Sequence, residues 1–457
     1  GTSGPTTNPN LLETAVFAQD EWQLRDDLTL TLGLRYDVEK YDQAKVRNSD
    51  PQLAAAGIDT RFIPKDDNNV APRLGFAWSL NPKTVVRGGY GLFHGRTPAI
   101  MVGTAHSGNG INVVTFTFTG NQVPTFPNVL TAPPTGAAAP RPSISIFDRD
   151  YENPEVHQAS LGLEHQLAND LTVGVSYLYV KGENLQRSRD LNIGNPVPTA
   201  IPIQGGGSVT IQQFPTAKPF SNFDRIVRFE STAESEYNGL SIEVKKRFGG
   251  LLQGSFAYTL SKVEDTNPDA TNVVIGGGDD ARFPSNPVDF DADRGPGNND
   301  ARHRAVLSGL WDLGYWRDLS GWRKALLDGW SLGWIATYQS GLPYSQRIAN
   351  DVNRDGNRSN DLVPGKRNSE RLPSSTNIDL RVSKSLGLWG PVRLELIAEA
   401  FNLLDKTNIN QQQSTLYNFT NGVLIPQTNL SNPRLNFGAD QNAAQERIGQ
   451  LAIKLTF

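Results

Sequence analysis

The sequence predicts an all-β fold in which antiparallel strands run up and down in the order of the chain. Three observations support this prediction. Apolar and polar residues alternate with a period of two in many segments, such as Leu28 to Lys40, which places the apolar side chains on one face of each strand. Short and long links alternate between these segments. The last segment, Glu446 to Phe457, shows the same alternation and finishes on an aromatic residue.

The alternating segments group into hairpins with short turns. The first hairpin joins Thr14 to Leu24 and Leu28 to Lys40 through residues 25–27. The following segments are residues 70–80 and 84–94, 155–167 and 171–181, 237–247 and 251–262, 301–313 and 329–339, and 376–386 and 391–404. The link 314–328 is longer than the other turns, and the spacing of its Trp and Leu residues predicts a short helix.

The links between hairpins are much longer than the turns inside them, the longest being residues 95–154 and 182–236. This asymmetry is typical of transmembrane β-barrels, in which periplasmic turns are short and extracellular loops are long. We therefore predict a transmembrane antiparallel up-and-down β-barrel with its short turns in the periplasm. A secreted propeller or a series of sandwiches does not predict the strict alternation of link lengths.

The composition agrees with membrane-spanning strands. No run approaches the roughly 18 to 20 apolar residues of a transmembrane helix, but barrel strands need no such run because their lipid-facing and lumen-facing residues alternate. We expect the apolar residues of the first hairpin and the last strand to be exposed on the lipid face: Leu28, Leu30, Leu32, Leu34, Tyr36, Leu451, Ile453, Leu455 and Phe457. The net charge of −4 is not clustered, which excludes nucleic acid as a partner.

The number of strands indicates an incomplete barrel. The segments give about thirteen strands, or fourteen if Arg434 to Asp440 pairs independently. With thirteen, the first and last strands run in the same direction, whereas single-chain bacterial barrels hold an even number of strands. We expect residues 1–457 to form a single barrel portion that lacks the N-terminal strands and the plug domain. Residues 1–10 do not resemble a secretion signal, so we expect the native chain to start further upstream.

Two features resemble TonB-dependent outer-membrane transporters. The final strand ending at Phe457 resembles the last strand of bacterial outer-membrane barrels. The segment Phe401 to Asn408 (FNLLDKTN) resembles the Asn-Leu-hydrophobic-Asp motif near the end of the penultimate strand in these transporters. Four further segments resemble the Oar-like branch of the family: Val16 to Asp37, Asn68 to Trp78, Tyr237 to Phe248 and Asn298 to Trp311.

The resemblance implies a barrel of about twenty-two strands around a plug, so that this chain lacks about nine strands, the plug and the TonB-box. It implies import of a large substrate through the cell outer membrane of a Gram-negative bacterium. The implied partners are outer-membrane lipid, the remainder of the barrel and plug (an upstream segment or a companion chain), the TonB complex acting through the plug, and the barrel-assembly machinery acting through Phe457. Two alternatives stay open, namely a passive pore or protein-export conduit, and a surface or adhesive protein that acts through its long loops.

One loop has the oxygen spacing of a calcium site. Asp351, Asn353, Asp355, Asn357 and Asp361 provide oxygen ligands at alternate positions around Gly356, as in the loop by which an EF-hand surrounds Ca²⁺. The twelfth position is Leu362 rather than Glu, so Asp361 would close the site one residue early. The alternative is a merely polar external loop. We predict that no cofactor is required, and Ca²⁺ in this extracellular loop is the one candidate ion.

A second acidic cluster lies in another long link. It contains Asp289, Asp291 and Asp293, followed by Asn298, Asn299 and Asp300. Here a solvated acidic loop is favoured over a metal site.

No enzymatic site is recognisable. The chain has no Cys, no HExxH, no GxSxG and no phosphate-binding glycine loop, and its five His residues are scattered. His303 lies between two arginines at a strand start and is interpreted as structural. We therefore predict that the chain is not an enzyme.

Overall fold

The structure of the protein, a computed structural model, describes residues 9–116, 123, 125–128, 141–266, 268, 283–357, 361–365, 367–409, 411–427, 433–434 and 446–457. Thirteen long strands in these ranges form one antiparallel meander in which each strand pairs with the next along the chain. Strands β1 to β7 are Leu11–Arg25, Leu28–Tyr41, Lys65–Asn81, Thr84–His94, Glu155–Ala168, Leu171–Asp190 and Ile226–Lys246. Strands β8 to β13 are Leu252–Asp265, His303–Asp312, Trp330–Gln339, Ser375–Gly387, Arg393–Phe401 and Ile448–Thr456. With 56% strand and 7% helix, the prediction of an all-β fold is confirmed.

Short helices and strands occupy the links. Helices α1 (Pro51–Ala55) and α2 (Ala99–Ser107) lie in long links, while α3 (Gly321–Leu327) is the helix predicted between β9 and β10. Single 3₁₀ turns cover Phe290–Asp293 and Gly314–Trp316. None of the helices in the described ranges is long and apolar enough to span a membrane. The short strands are Thr115–Phe116, Pro142–Phe147, Val197–Pro202, Ser208–Gln213, Gly295–Pro296, Pro343–Tyr344, Arg347–Ala349, Glu370–Arg371, Gln411–Gln412, Thr415–Thr420, Val423–Pro426 and Pro433–Arg434.

The two faces of the meander differ in polarity. On β2, Leu32 and Leu34 are 46% and 54% exposed, whereas Gly33 between them is partly buried. Leu32 lies opposite Leu74 of β3, and since directly opposed residues share a face, this apolar face continues from strand to strand. The other face carries hydroxyl pairs, such as Ser255 with Ser308 at 2.9 Å between their Oγ atoms. The sheet therefore exposes its apolar side, the reverse of a sheet in water.

Most of the residues predicted to lie on the lipid face are exposed. Leu451, Ile453, Leu455 and Phe457 are among the most exposed apolar side chains, and Leu32, Leu34 and Tyr36 are also exposed. Leu28 and Leu30 are only partly exposed. Both lie opposite large aromatic residues on neighbouring strands, Leu28 opposite Trp78 and Leu30 opposite Trp22 and Phe76, and such bulky cross-strand neighbours cover them.

Two strands extend far beyond the predicted bounds. Strand β6 continues from the predicted end at residue 181 to Asp190, and β7 begins at Ile226 rather than at residue 237. Arg187, Phe229 and Glu230 in these extensions are buried. The period of two is lost there because links cover both faces, so the sequence pattern did not reveal the strands. In the opposite sense, β12 ends at Phe401 and not at residue 404.

The two outer strands of the meander do not pair with each other. Within the described residues, β1 pairs only with β2 and β13 only with β12, and the strand order ends at these two strands. All residues of β1 are exposed. This confirms the prediction that the first and last strands are separate edges. Of the segment Arg434 to Asp440, residues 435–440 lie outside the described residues, and Pro433–Arg434 pairs with Gln411–Gln412 outside the main sheet.

The hydrophobic core lies at one end of the sheet, among the long links. We call the described residues of links 42–64, 95–154, 191–225, 266–302, 340–374 and 402–447, with the adjoining strand ends, the loop body. It contains three clusters of buried side chains, around Met101 and Phe229, around Leu53 and Ile226, and around Val352 and Leu424. The loop body is thus packed like a globular domain, and it positions the candidate site described next.

Candidate functional site

The acidic loop, residues 351–361, folds its side chains inward against its own backbone. Residues 358–360 lie outside the described residues. The backbone N–H of Gly356 donates to Asp351 Oδ2 at 3.0 Å, and that of Asn353 donates to Asp361 Oδ1 at 3.0 Å. Asn353 Oδ1 and Asp355 Oδ1 accept backbone N–H groups two residues ahead, at 2.9 and 2.7 Å. Gly356 has a φ of +85°, which few other residues tolerate, and this turn reverses the chain around the side-chain oxygens.

The polar side chains of this loop are withdrawn from water. Asn353, Asp355, Asn357 and Asp361 are buried, and Asp361 is 3% exposed. Oδ2 of Asp361 and Oδ1 of Asp351 are buried and accept no hydrogen bond within the described part of the chain. Burial, together with the negative charges of Asp355 and Asp351, raises the pKa of Asp361 to about 8, and burial also raises the pKa of Asp351. The loop therefore places three carboxyl groups in a poorly solvated region, where burial disfavours the charged form of Asp361.

Residues from distant links enclose the acidic loop. Gln213 Nε2 donates to the carbonyl oxygen of Val352 at 2.9 Å, and the N–H of Phe214 donates to that of Asn353 at 2.7 Å. Arg225 donates to the carbonyl oxygen of Gly356. The Nδ2 of Asn353 lies 3.5 Å from the carbonyl oxygen of Ser285. Sequence reasoning missed these neighbours because they belong to other links and carry no motif.

The structure holds the predicted ligand residues in one folded loop and does not test the metal. Within the described ranges, no three His, Asp or Glu side chains converge closely enough to hold an ion by themselves. A cation here needs amide and backbone oxygens in addition to carboxylates, which is ordinary coordination for Ca²⁺. The calcium site at Asp351, Asn353, Asp355, Asn357 and Asp361 stays a prediction.

The second acidic cluster is partly buried rather than solvated throughout. Asp293 is buried and accepts from both the N–H and the hydroxyl of Ser285, at 2.9 and 2.6 Å. Asp300 is buried between Arg371 and Arg302. Asp289, Asp291, Asn298 and Asn299 are exposed, and Asp291 pairs with Arg294 at 3.2 Å. The expectation of a solvated loop therefore holds for the exposed residues of the cluster. It is wrong for Asp293 and Asp300, which are buried and held by Ser285 and by two arginines, respectively.

The FNLLDKTN segment forms a tight turn where β12 ends. Asn402 and Asp405 have φ values of 48° and 54°, a region that Asn and Asp enter more easily than most residues. The N–H of Asn402 donates to Asp379 of β11 at 2.9 Å, and Asp405 accepts the N–H of Arg447 at 3.1 Å, next to β13. The motif thus joins the ends of the last three strands, which gives its residues a structural role.

The five His residues have structural partners. Nδ1 of His303 lies 2.7 Å from the Tyr258 hydroxyl, and that of His157 lies 2.7 Å from the Tyr90 hydroxyl. His165 contacts Thr84, while His94 and His106 contact backbone carbonyl oxygens. The interpretation of His303 as structural agrees with this geometry.

Comparison with known families decides the class of this protein. The family described as "Outer membrane beta barrel domain" matches residues 2–366, well over half of the chain. The chain belongs to the outer membrane β-barrel domain family. The protein is therefore located in the outer membrane, as the sequence predicted, and its family is one of membrane barrels, not of enzymes. The apolar face of this barrel chain is the lipid face, and its polar face is the lumen face.

Solved structures share the fold of this outer membrane β-barrel chain at low sequence identity. The outer membrane transporter YddB from Escherichia coli is 12% identical, with a TM-score of 0.50 over 90% of this chain and 43% of that chain. The siderophore receptor PiuA from Acinetobacter baumannii is 12% identical, with a TM-score of 0.47 over 97% of this chain and 43% of that chain. The chain spans less than half the length of both. A comparison with curated proteins gave no match.

Proposed function

We propose that this chain is the barrel portion of a TonB-dependent transporter of the Oar-like branch, which imports a large substrate across the outer membrane. In this proposal a plug domain and further strands come from elsewhere in the same gene product or from a companion chain. The TonB complex acts through the plug. The barrel-assembly machinery recognises the last strand, which ends at Phe457.

The observation that carries the proposal is the pair of open edges. Strand β1 is 15 residues long and has a partner on one side only among the described strands. In hydrocarbon each unpaired backbone group costs several kcal/mol, so spanning sheets close on themselves. Since β1 and β13 run in the same direction in a meander of thirteen strands, additional strands must complete the ring. A ring with more strands is wide enough to hold a plug domain, whereas a small ring is not.

The lumen face has the polarity that such a plug or a polar solute requires. Besides the serine pairs, it carries Arg381 of β11, which lies 3.4 Å from both Glu395 and Glu399 of β12. These charged groups can stay hydrated or pair with one another only if the lumen is polar. A lumen filled with apolar side chains would leave them without either.

Electrical conductance separates a plugged transporter from a pore. We expect the complete protein, extracted in detergent from outer membranes and inserted into planar lipid bilayers, to show no steady conductance. Urea at a concentration that unfolds a plug but not the barrel is expected to open large, stable channels, because the lumen of a ring this wide is then free. Heat-modifiable electrophoretic mobility, measured in parallel, confirms that the barrel is intact.

The same experiment addresses the alternatives. Large steady conductance before urea treatment would contradict the plugged transporter and favour the passive pore or export conduit. Absence of conductance after urea, with the barrel still folded, would contradict any open ring and favour a surface protein that acts through its loops.

A further inference from the structure

The acidic loop of the link 340–374 combines inward side-chain oxygens with buried oxygens that have no partner. We propose that Asp351, Asn353, Asp355, Asn357 and Asp361 bind Ca²⁺ and that the bound ion fixes this link to three neighbouring links of the loop body. The proposal does not depend on which molecule the barrel transports or on whether it is plugged.

The first argument is the pair of buried carboxyl oxygens without a hydrogen-bond partner. Asp361 is almost fully buried, and its Oδ2 accepts no hydrogen bond within the described ranges, although its Oδ1 does. Oδ1 of Asp351 is likewise buried and accepts no hydrogen bond within these ranges. A buried carboxylate oxygen without a partner is expensive, and buried charges in proteins are paired or bind metals.

The second argument is the chemistry of the oxygens. Two carboxylates with free oxygens, the further carboxylate of Asp355 and the amide oxygens of Asn353 and Asn357 form a set of hard oxygen ligands. Oδ1 of Asn353, which accepts one backbone N–H, has a second lone pair. Ca²⁺ takes six to eight oxygen ligands in flexible geometry, including side-chain amides and backbone carbonyls, whereas Mg²⁺ demands a near-ideal octahedron and keeps several waters. A crowded, mostly buried loop therefore favours Ca²⁺.

The third argument is the position of the loop among the links. Val352 is fully buried in a cluster with Ile211 of the link 191–225 and Leu424 of the link 402–447. Asn353 contacts Phe214 and Ser285, and Ser285 in turn holds the buried Asp293. An ion that sets the conformation of residues 351–361 therefore also sets contacts with the links 191–225, 266–302 and 402–447. Loss of the ion would loosen one shared body rather than a single loop.

The test uses the complete protein, extracted in detergent from outer membranes and stripped with EGTA. Titration with CaCl₂ in excess MgCl₂ is expected to show saturable binding with a Kd of about 10⁻⁴ to 10⁻³ M, the range of extracellular calcium modules. Saturating Ca²⁺ is expected to slow cleavage by trypsin after Arg354 at least about tenfold, because a site filled to ten times its Kd is open about one tenth of the time. Asp361→Asn is expected to lower both effects about tenfold or more.

The matched control is Asp291→Asn. It removes the same charge from an exposed carboxylate in another link of the loop body, and we expect unchanged Ca²⁺ binding. Absence of saturable binding by the unchanged, folded protein would overturn the proposal and identify Asp361 as a buried neutral acid. Equal loss of binding in both variants, or equal protection by Mg²⁺ alone, would also overturn it. If Asp361→Asn does not assemble, the titration of the unchanged protein still decides.

Discussion

The sheet and the loop body are built from one chain but follow opposite rules of burial. On β2, Leu32 and Leu34 are exposed, whereas Gly33 and Arg35 next to them are more covered. In the loop body, Leu53, Met101 and Phe229 are fully buried, as in a protein that folds in water. The difference shows that each region is adapted to its own solvent: hydrocarbon stabilises the exposed leucines of the sheet, whereas water drives the apolar side chains of the links together.

Charged groups show the same contrast. In the loop body, buried carboxylates are held by specific partners, such as Glu230 between Arg189 and Arg228, both with Nε 2.7 Å from Oε1. On the lumen face, Arg381 and its two glutamates are partly exposed, with longer contacts. Exposed pairs contribute little to stability, whereas breaking a buried pair leaves an uncompensated charge. The loop body is thus the region in which single polar substitutions should matter most.

The largest effect is expected in the core of the loop body. Phe229 is 0% exposed, and its ring centroid lies 5.2 Å from that of Phe147. Phe229→Ala should destabilise the loop body by about 3–5 kcal/mol, because it removes a large buried ring and leaves a cavity. The measurement is amide hydrogen exchange of the links 95–154 and 191–225 in detergent. Phe248→Ala, in an exposed turn, is the control and should change exchange little; equal effects would contradict the globular core.

A somewhat smaller effect is expected on the lipid face. Leu32→Arg places a cation next to Leu74 on the lipid face. Near the bilayer midplane this should lower the free energy of unfolding by about 2–4 kcal/mol. Thr31→Arg is the matched control, since Thr31 points to the lumen face, where a cation keeps its water. Urea unfolding of the protein in lipid vesicles measures both. A larger loss for Thr31→Arg would reverse the assignment of the two faces.

The sequence predicted the sheet well because one physical rule acts along its whole length. In each strand that crosses hydrocarbon, lipid-facing apolar residues must alternate with lumen-facing residues. The short turns inside the hairpins only reverse the direction of the chain. The thirteen strands, their order and the two separate edges were all predicted. The requirement for alternating polarity no longer applies where the strands leave the membrane. For this reason residues 182–190 and 226–236 were assigned to a link although they form strands.

In the loop body, the sequence predicted only features whose residues are close together in the chain. The oxygens of the acidic loop are close in sequence, so their spacing identified them. Their enclosure by Gln213, Phe214 and Ser285 depends on contacts between links that are far apart in the chain, and no period or motif records such contacts. The same holds for Asp300, whose partner Arg371 lies 71 residues further along the chain.

The smallest effect is expected where the two regions meet. The hydroxyl of Tyr258 on β8 lies 2.7 Å from Nδ1 of His303, the first residue of β9, at the end of the sheet that adjoins the loop body. Tyr258→Phe removes this hydrogen bond and keeps the ring, so we expect a loss of about 0.5–1.5 kcal/mol in urea unfolding. Tyr338→Phe is the control, because no hydrogen bond of its hydroxyl lies within the described ranges. It should change stability by less than about 0.5 kcal/mol. If both variants lose the same amount, the tyrosines at this end stabilise the barrel through contact of their hydroxyls with the lipid headgroups, and the bond to His303 contributes nothing of its own.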